Sequence, residues 1–252
     1  MEEFTTEFSN FCTPEITKFF DTAKDIEINQ PEKGYRFSID PILLVSSLVL
    51  EENENILDIG TGCGIMPILI ALKYPRIHIT AVEIQNELAN IAQKNIEINN
   101  LTARIILIKQ DIKNIQLIDI KSSYSSNINK SLYTDRTLYI NGGFDRVISN
   151  PPYKKKGSGR LNPNVQKSIA RHEITLTLDE LISCAYLFLK PDGVLNLVYP
   201  ADRLKELLYT MKHHSIEPAD VKFINTSYIK SDKPKLVLAT GIRTSDIKGI
   251  CY

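Results

Sequence analysis

The sequence lacks the features that mark membrane-spanning, secreted and zinc-binding proteins. No apolar run approaches the ~20 residues of a membrane span, and the acidic N-terminus MEEFTTEFSN has no signal-peptide pattern. The four cysteines form no C-x-x-C pair, the spacing that structural zinc sites use. They are Cys12, Cys63, Cys184 and Cys251. We therefore expect reduced thiols in a cytoplasmic protein that binds neither a metal nor a membrane.

The chain also has no net charge, but its charges are unevenly distributed. Residues 1–152 carry a net charge of −6, and residues 153–252 a net charge of +6. Such asymmetry is one sign of nucleic-acid contact, although two solvated halves of different composition would give the same counts. The 252 residues, 43% of them apolar and 24% charged, suit a globular domain with a sizeable core.

Strand-like and helix-like segments alternate along most of the chain. Apolar segments such as NILDI, HITAVEI, RIILIKQD, FDRVISN and GVLNLVYP are separated by helical patterns such as GIMPILIALKY and LDELISCAYLFL. This alternation predicts an α/β fold with a mostly parallel sheet and helices on both faces. Ahead of the first strand, DPILLVSSLVL predicts a helix over residues 40–50, with Asp40 as N-cap and a proline at the first helical position.

Two segments depart from this alternation. Residues 1–33 are acidic and weakly periodic, which predicts an N-terminal extension ahead of a domain at residues 34–252. Residues 117–143 are rich in serine and asparagine, and we interpret them as a long, partly mobile insertion before the FDRVISN strand.

The segment ILDIGTGCGIMPILIA places Gly60, Gly62 and Gly64 between a strand and a helix. Glycines let the backbone turn sharply and let a ligand approach it, and the helix that follows offers free N–H groups. The G-x-G-x-G spacing differs from the G-x-G-x-x-G of dinucleotide binders. We predict a cofactor crevice here, in which Cys63 is a small filler of the loop rather than a nucleophile.

Carboxylates lie at the ends of the first three strands: Asp58, Glu83 and Asp111. Glu83, at the second strand end, is placed to bind ribose hydroxyls, and Asp111, at the third, can accept a hydrogen bond from an adenine amine. Each of these two alone is equally well explained as an ordinary polar strand end. In order, and together with the glycine loop, the three favour S-adenosylmethionine over NAD as cofactor.

A later strand ends in Asn150, Pro151, Pro152 and Tyr153. The Asn150 side-chain oxygen and the Pro151 carbonyl can accept hydrogen bonds from an amino nitrogen, and the two prolines fix that carbonyl before a substrate arrives. The Tyr153 ring can stack on a base. A glutamine amide would suit the same acceptors, and a proline turn at the end of an edge strand is the alternative interpretation.

Cations follow this motif: Lys154, Lys155, Lys156 and Arg160 in KKKGSGR, and Arg171 in ARHE. They could contact RNA phosphates, which would position an RNA without reading its sequence. A solvated loop and a helix cap with surface charges explain the same residues.

DIGTGCG and NPPY, with Glu83 and Asp111, resemble the motifs of class I S-adenosylmethionine-dependent methyltransferases that modify amino nitrogens. More narrowly, FSIDPILLVSS and the ARHE that follows NPPYKKKGSGRLNP are similar to the bacterial tRNA(Val) adenine-N6 methyltransferase family. The resemblance covers nearly the whole chain from Tyr35 onward. It implies a Rossmann-like, seven-stranded sheet whose last strand is antiparallel, and it adds Asp40 and Asn150 to the cofactor-binding residues.

The resemblance further implies methylation of the N6 amine of an anticodon-loop adenosine, next to the anticodon, in a bacterial tRNA, and we expect a monomer. Residues 117–143 and the acidic N-terminal extension are longer than is typical of that family. Two other functions fit the same residues. One is methylation of a protein glutamine amide, whose enzymes usually carry a helical N-terminal domain that we do not expect here. The other is a non-catalytic RNA-binding module, which the intact glycine loop and NPPY motif disfavour.

Overall fold

A seven-stranded sheet with helices on both faces forms the centre of the structure. The computed structural model describes residues 26–31, 39–119, 132–134, 137–140, 143–151, 176–224 and 234–245. Its strands are β1 (Asn55–Ile59), β2 (His78–Val82), β3 (Ile105–Ile108), β4 (Gln116–Asp119), β5 (Leu132–Thr134), β6 (Thr137–Ile140), β7 (Phe144–Ser149), β8 (Leu189–Pro200), β9 (Ile216–Ile224) and β10 (Leu236–Arg243). Its helices are α1 (Asp40–Ser47), α2 (Ile65–Lys73), α3 (Asn86–Ile98), α4 (Leu178–Phe188) and α5 (Leu204–His213), with 3-10 turns at Ile112–Asn114 and Ala201–Arg203.

The strand order of the large sheet is β3-β2-β1-β7-β8-β10-β9. The pairs from β3 to β8 are parallel, whereas β10 is antiparallel to both β8 and β9. This confirms the predicted Rossmann-like sheet with an antiparallel last strand. Because β1, β2, β3, β7 and β8 all run the same way, their carboxyl ends lie along one edge, where ligands bind in open α/β sheets.

Alternating side chains of the strands enter two separate cores, one on each face of the sheet. Leu57 and Val147 belong to the core that is covered by α4 and α5. Their sequence neighbours Ile56 and Ile148 belong to the core that is covered by α1 and α2. Apolar residues on both faces are expected of a parallel sheet whose two faces are covered by helices. Among the described residues, no helix combines the length and apolarity that crossing a membrane requires.

The first helix differs from its prediction at both ends. Ile39 occupies the N-cap position and Asp40 is the first helical residue, because the Leu43 N–H already donates to the Ile39 carbonyl at 3.0 Å. The helix ends at Ser47 rather than at residue 50. The Ser46 and Ser47 hydroxyls donate to carbonyls of the preceding turn, at 2.9 and 2.7 Å, and serines that bond in this way compete with helix continuation.

The predicted insertion contains strands that its composition did not predict. Strands β4, β6 and β5 form a separate three-stranded sheet, in that order. The physical reason is local, since LYT and TLYI combine tyrosine, threonine and isoleucine, which favour strands. Within the predicted N-terminal extension, Ile26 and Ile28 pack partly buried against the core covered by α1 and α2.

Candidate functional site

The glycine loop connects β1 to α2 at the carboxyl edge of the sheet. Gly60, Gly62 and Gly64 have φ angles of +76°, +61° and +84°, a left-handed conformation that other residues rarely adopt. The Gly60 and Thr61 N–H groups both donate to the Val82 carbonyl at the end of β2, at 2.9 and 3.0 Å. The turn predicted from the glycine spacing is therefore present, and the neighbouring strand fixes its first half.

Two of these glycines face different surroundings. A Cβ atom at Gly64 would lie 3.3 Å from the Ala92 Cβ on α3, so this glycine permits close helix packing. A Cβ atom at Gly60 would meet no atom within 4 Å. Gly60 therefore presents bare backbone to open space, as a loop does when a ligand lies against it.

Asp58 lies on β1 directly below the loop and is fully buried. Neither of its carboxylate oxygens makes a hydrogen bond of normal geometry, and the Thr61 hydroxyl is the neighbouring side-chain donor. Burial raises the pKa of Asp58 to about 7; the nearby Thr61 hydroxyl opposes this rise, and the Glu83 carboxylate adds to it. An unpaired buried carboxylate is costly to a protein by itself, and a bound cation would offset that cost.

Glu83 follows β2 and holds the loop from the side. Its Oε2 accepts a hydrogen bond from the Gly62 N–H and its Oε1 one from the Gln85 N–H, both at 2.8 Å. Burial raises the pKa of Glu83, and these backbone donors oppose the rise. Each carboxylate oxygen can accept more than one hydrogen bond, so Glu83 keeps acceptor capacity for hydroxyls such as those of a ribose.

Asp111 is placed at the end of β3 but already has local partners. Its Oδ1 accepts from the Lys113 N–H at 3.0 Å, which caps the 3-10 turn that follows. The Lys113 ammonium lies 3.8 Å from its Oδ2 and 3.0 Å from Oε1 of Glu180 on α4. This residue therefore has the ordinary capping role after β3, and its contact with an adenine stays a prediction.

A pocket joins the glycine loop to the end of β7. It is lined by Pro41, Gly60, Thr61, Gly62, Cys63, Ile65, Met66 and Asn150. Asn150 reaches this pocket because β7 is the parallel neighbour of β1, and the buried Ser149 hydroxyl donates to the Ile59 carbonyl at 2.7 Å. Asp40 begins α1 directly before the pocket residue Pro41.

Several predicted site residues lie outside the described residues. Asn150 and the buried Pro151 are described, but Pro152, Tyr153, Lys154, Lys155, Lys156, Arg160 and Arg171 are not. Their predicted roles therefore stay predictions.

The predicted filler role of Cys63 fits its surroundings. Its side chain is 2% exposed, and burial raises the pKa of its thiol to about 12, so the reactive thiolate is not formed near neutral pH. In the described part of the chain, no three His, Cys, Asp or Glu side chains are grouped as a metal site would need.

Sequence reasoning missed three groups at this edge. Thr61 Oγ and Gln85 Oε1 are buried without hydrogen-bond partners, as are both Asp58 oxygens. Four of the six such atoms found among the described residues therefore surround the glycine loop. Ser149, which ties β7 to β1, is the third. Thr61 lies inside the DIGTGCG motif, whereas Gln85 and Ser149 lie in no motif.

The residues present fit S-adenosylmethionine. The bare backbone of Gly60 offers a place for the ligand to lie, and the unpaired Asp58 carboxylate matches a cationic group. Glu83, Thr61 and Gln85 offer hydrogen-bonding oxygens for the hydroxyls and amine of a nucleoside. S-adenosylmethionine contains all three matching groups: an ammonium, a ribose and an adenine.

Comparisons with known proteins identify methyltransferases. The model of the methyltransferase small domain family matches residues 39–120. Two strains of Porphyromonas gingivalis carry proteins named tRNA1(Val) (adenine(37)-N6)-methyltransferase. One is 33% identical over 188 residues, 73% of this chain and 66% of its own length. The other is 32% identical over 221 residues, 86% of this chain and 78% of its own length. A protein of the same name from Phocaeicola vulgatus is 30% identical and covers 85% of this chain and 80% of its own length.

Solved structures show the same fold at low sequence identity. A methyltransferase from Pyrococcus furiosus has a TM-score of 0.56 and 22% identity, over 92% of this chain and 98% of its own. A precorrin-6Y C5,15-methyltransferase from Geobacter metallireducens has a TM-score of 0.52 and 16% identity, over 88% and 96%. The fold is thus that of class I methyltransferases, and the sequence comparisons place the chain more narrowly: it belongs to the tRNA1(Val) (adenine(37)-N6)-methyltransferase family.

Proposed function

We propose that this protein transfers the methyl group of S-adenosylmethionine to the exocyclic N6 amine of an adenosine in tRNA. The target named in its relatives is adenine 37 of tRNA1(Val). The observation that carries the proposal is that Asn150 lines the same pocket as the glycine loop. This arrangement supports a site in which an acceptor for an amino nitrogen lies beside the cofactor crevice.

The pocket supplies what an adenine amine needs in order to act as a nucleophile. The nitrogen lone pair is delocalised into the ring, so the amine by itself is a poor nucleophile. Asn150 Oδ1 and the Pro151 carbonyl would accept hydrogen bonds from the two N–H groups of the amine and favour a tetrahedral nitrogen. Such preorganised dipoles act most strongly in the transition state. S-adenosylmethionine, when bound, supplies an electrophilic methyl group. As the new N–C bond forms, the methyl–sulfur bond breaks to leave a neutral thioether, and the amine proton is released to water, so that no strong general base is required.

The cofactor would be held by residues from four strand ends and α1. We assign it to Asp40, Asp58, Gly60, Gly62, Gly64, Glu83, Asp111 and Asn150. Among these, Asp58 would face the cationic amino-acid part, Glu83 the ribose and Asp111 the adenine. Glu83 would serve two purposes at once, because it also holds the Gly62 N–H.

The segment after the pocket would contact the RNA. We propose that Pro152 and Tyr153 complete the substrate site, with the tyrosine ring stacked on the adenine. The RNA phosphates would be contacted by five cations: Lys154, Lys155, Lys156, Arg160 and Arg171. A tRNA substrate also favours the cytoplasm as the location, and we propose a monomer that needs no metal.

Replacing Lys154, Lys155 and Lys156 together by glutamate tests the RNA contact. We expect a severalfold higher KM for tRNA and a weaker dependence of KM on salt, because fewer counterions are then released on binding. The KM for S-adenosylmethionine should stay the same, which makes it the internal control. Unchanged kinetics on tRNA would mean that these lysines are merely solvated.

Methyl transfer to tRNA tests the proposed reaction directly. The protein is incubated with methyl-labelled S-adenosylmethionine and total tRNA from cells that lack this modification, and the RNA is digested to nucleosides. We expect the label in N6-methyladenosine, and none when Asn150→Ala replaces the unaltered protein. Label in methylglutamine of added cell protein would identify the rival function. Cofactor binding without any transfer would identify a non-catalytic module.

A further inference from the structure

One buried amide on α3 joins the cofactor loop to a segment near the start of the chain. The Asn95 side chain is 0% exposed. Its Nδ2 donates to the Cys63 carbonyl in the glycine loop at 2.8 Å and to the Asn29 carbonyl at 2.9 Å. Its Oδ1 accepts from the Asn29 backbone N–H at 2.8 Å and from Asn29 Nδ2 at 3.0 Å.

These contacts use the whole hydrogen-bonding capacity of the amide. An asparagine side chain has two N–H donors and an oxygen with two lone pairs, and at Asn95 all four are engaged. Two carbonyls face the NH₂ group and two N–H donors face the oxygen, so only one orientation of the amide fits. Removing this side chain would leave the Cys63 carbonyl, in the interior, without its partner.

Asn95 is the side chain that holds the Cys63 carbonyl in the second half of the cofactor loop, where Glu83 holds the Gly62 N–H and the Gly64 N–H donates to the Thr61 carbonyl. The first half is fixed by the Val82 carbonyl, which accepts from Gly60 and Thr61. Cys63, in the second half, lies between Gly62 and Gly64, which both have positive φ. Glycine-rich backbone of this kind has many alternative conformations, so a fixed carbonyl at its centre restricts the whole turn.

The next turn of α3 provides a natural control. Asn99 pairs with Glu27 as Asn95 pairs with Asn29: its Oδ1 accepts from the Glu27 N–H at 3.3 Å, and its Nδ2 donates to the Glu27 carbonyl at 2.8 Å. Its remaining donor contact goes to the Asn95 carbonyl within α3, at 2.7 Å. Asn99 therefore holds the same N-terminal segment but does not touch the glycine loop.

We infer that Asn95 is a positioning residue for the cofactor, and that it makes residues 26–31 part of the cofactor site. It holds the loop in the conformation that binds S-adenosylmethionine, so that binding need not order the loop. Because coupling between two binding events is reciprocal, the bound cofactor must in turn hold residues 26–31 more firmly against α3. The inference rests on the cofactor of the proposed function, which binding by the unaltered protein tests separately.

The test compares Asn95→Ala, Asn29→Ala and Asn99→Ala in the full chain. S-adenosylmethionine affinity is measured by calorimetry, and amide exchange of residues 26–31 is measured with and without the cofactor. We expect the Kd of the cofactor to rise about tenfold in Asn95→Ala, as loss of one buried hydrogen bond suggests, and to rise less in Asn29→Ala. Asn99→Ala should bind as the unaltered protein does. Cofactor should slow exchange at residues 26–31 in the unaltered protein but not in Asn95→Ala.

The turnover number separates positioning from general damage. With both substrates saturating, kcat of Asn95→Ala should stay near that of the unaltered protein while the KM for S-adenosylmethionine rises. Equal affinity in a folded Asn95→Ala protein overturns the inference, and so does an equal loss in Asn99→Ala. Should Asn95→Ala not fold, the exchange measurement on the unaltered protein decides, and exchange at residues 26–31 that the cofactor leaves unchanged is also a refutation. An unaltered protein that binds no S-adenosylmethionine would instead refute the proposed cofactor.

Discussion

Asp58 and Arg146 are buried charged residues on the neighbouring strands β1 and β7, but their environments are opposite. Asp58, at the carboxyl edge, has no hydrogen-bond partner on either oxygen. Arg146 lies towards the other edge and uses four of its five N–H donors in hydrogen bonds. Its guanidinium donates to both Glu54 oxygens at 2.8 and 3.2 Å, to Asn196 Oδ1 at 2.6 Å, and to the Val49 carbonyl at 3.4 Å.

The difference separates a stabilising cluster from a ligand site. A paired buried charge contributes to the fold through partners that the chain itself provides, and breaking the pair leaves an uncompensated charge. An unpaired buried charge costs stability, and it is expected where a ligand completes the set. The Arg146 end of the strand pair therefore stabilises the fold, whereas the Asp58 end is suited to ligand binding. Mutations at Arg146 should mainly lower stability, and mutations at Asp58 should mainly lower ligand affinity.

The largest effect is expected from Arg146→Met. This change leaves Glu54 buried without its partner and should lower the free energy of unfolding by about 3–5 kcal/mol. Denaturant unfolding measures it, while S-adenosylmethionine affinity of the folded fraction should not change. Arg76→Met is the matched control, since Arg76 pairs with Glu52 at the surface, where such pairs contribute at most about 1 kcal/mol. An equal fall in the free energy of unfolding in both variants would show that the Arg146 pair stabilises the fold no more than a surface pair does.

Asn150→Ala should instead lower activity and leave stability nearly unchanged. We expect turnover on tRNA to fall about 10²–10³-fold, because a preorganised acceptor is removed from the reacting amine. The free energy of unfolding should stay close to that of the unaltered protein, and cofactor affinity should fall far less than turnover, because Asn150 is only one of the residues assigned to the cofactor. Asn150→Asp keeps an acceptor oxygen and should recover part of the activity in steady-state kinetics. An active Asn150→Ala protein would rule out the assigned role.

Asp58→Asn should weaken cofactor binding and stabilise the fold at the same time. The amide has the same shape but no charge, so we expect a roughly tenfold higher Kd for S-adenosylmethionine by calorimetry. Removing the unpaired carboxylate should raise the free energy of unfolding by about 1–2 kcal/mol at pH 8. A variant that loses stability instead would show that Asp58 is a structural residue like Arg146.

The last expected effect is a pH dependence of stability. The folded-state pKa of Asp58 is raised to about 7 from 3.8. Between these values the folded protein retains a proton that the unfolded chain releases, so the free energy of unfolding should fall as pH rises from about 4 to 7. Glu83 contributes in the same direction. The fall should be weaker in Asp58→Asn, and identical curves for both proteins would exclude the raised pKa.

The sequence predicted most of the fold and the centre of the site. Alternating strands and helices gave the parallel sheet, and the glycine loop and Asn150 were located by motif alone. Helix α1 was misplaced at both ends because its stop depends on serine hydroxyls that bond back to the preceding turn. The small sheet within residues 117–143 was missed because its serine-rich surroundings masked two short strand-forming segments.

Chemistry that lies within a contiguous motif was determined by the sequence itself. Glycine can adopt a positive φ angle and proline has a fixed φ angle in any fold. The turn at Gly60–Gly64 and the rigid backbone after Asn150 could therefore be predicted from the sequence. Only the tertiary structure decided which polar groups are paired and which are not. Asn95 meets Cys63 and Asn29, and Arg146 meets Glu54 and Asn196, across long separations in sequence. Such hydrogen bonds follow no sequence period, because they depend on where folding brings the elements together.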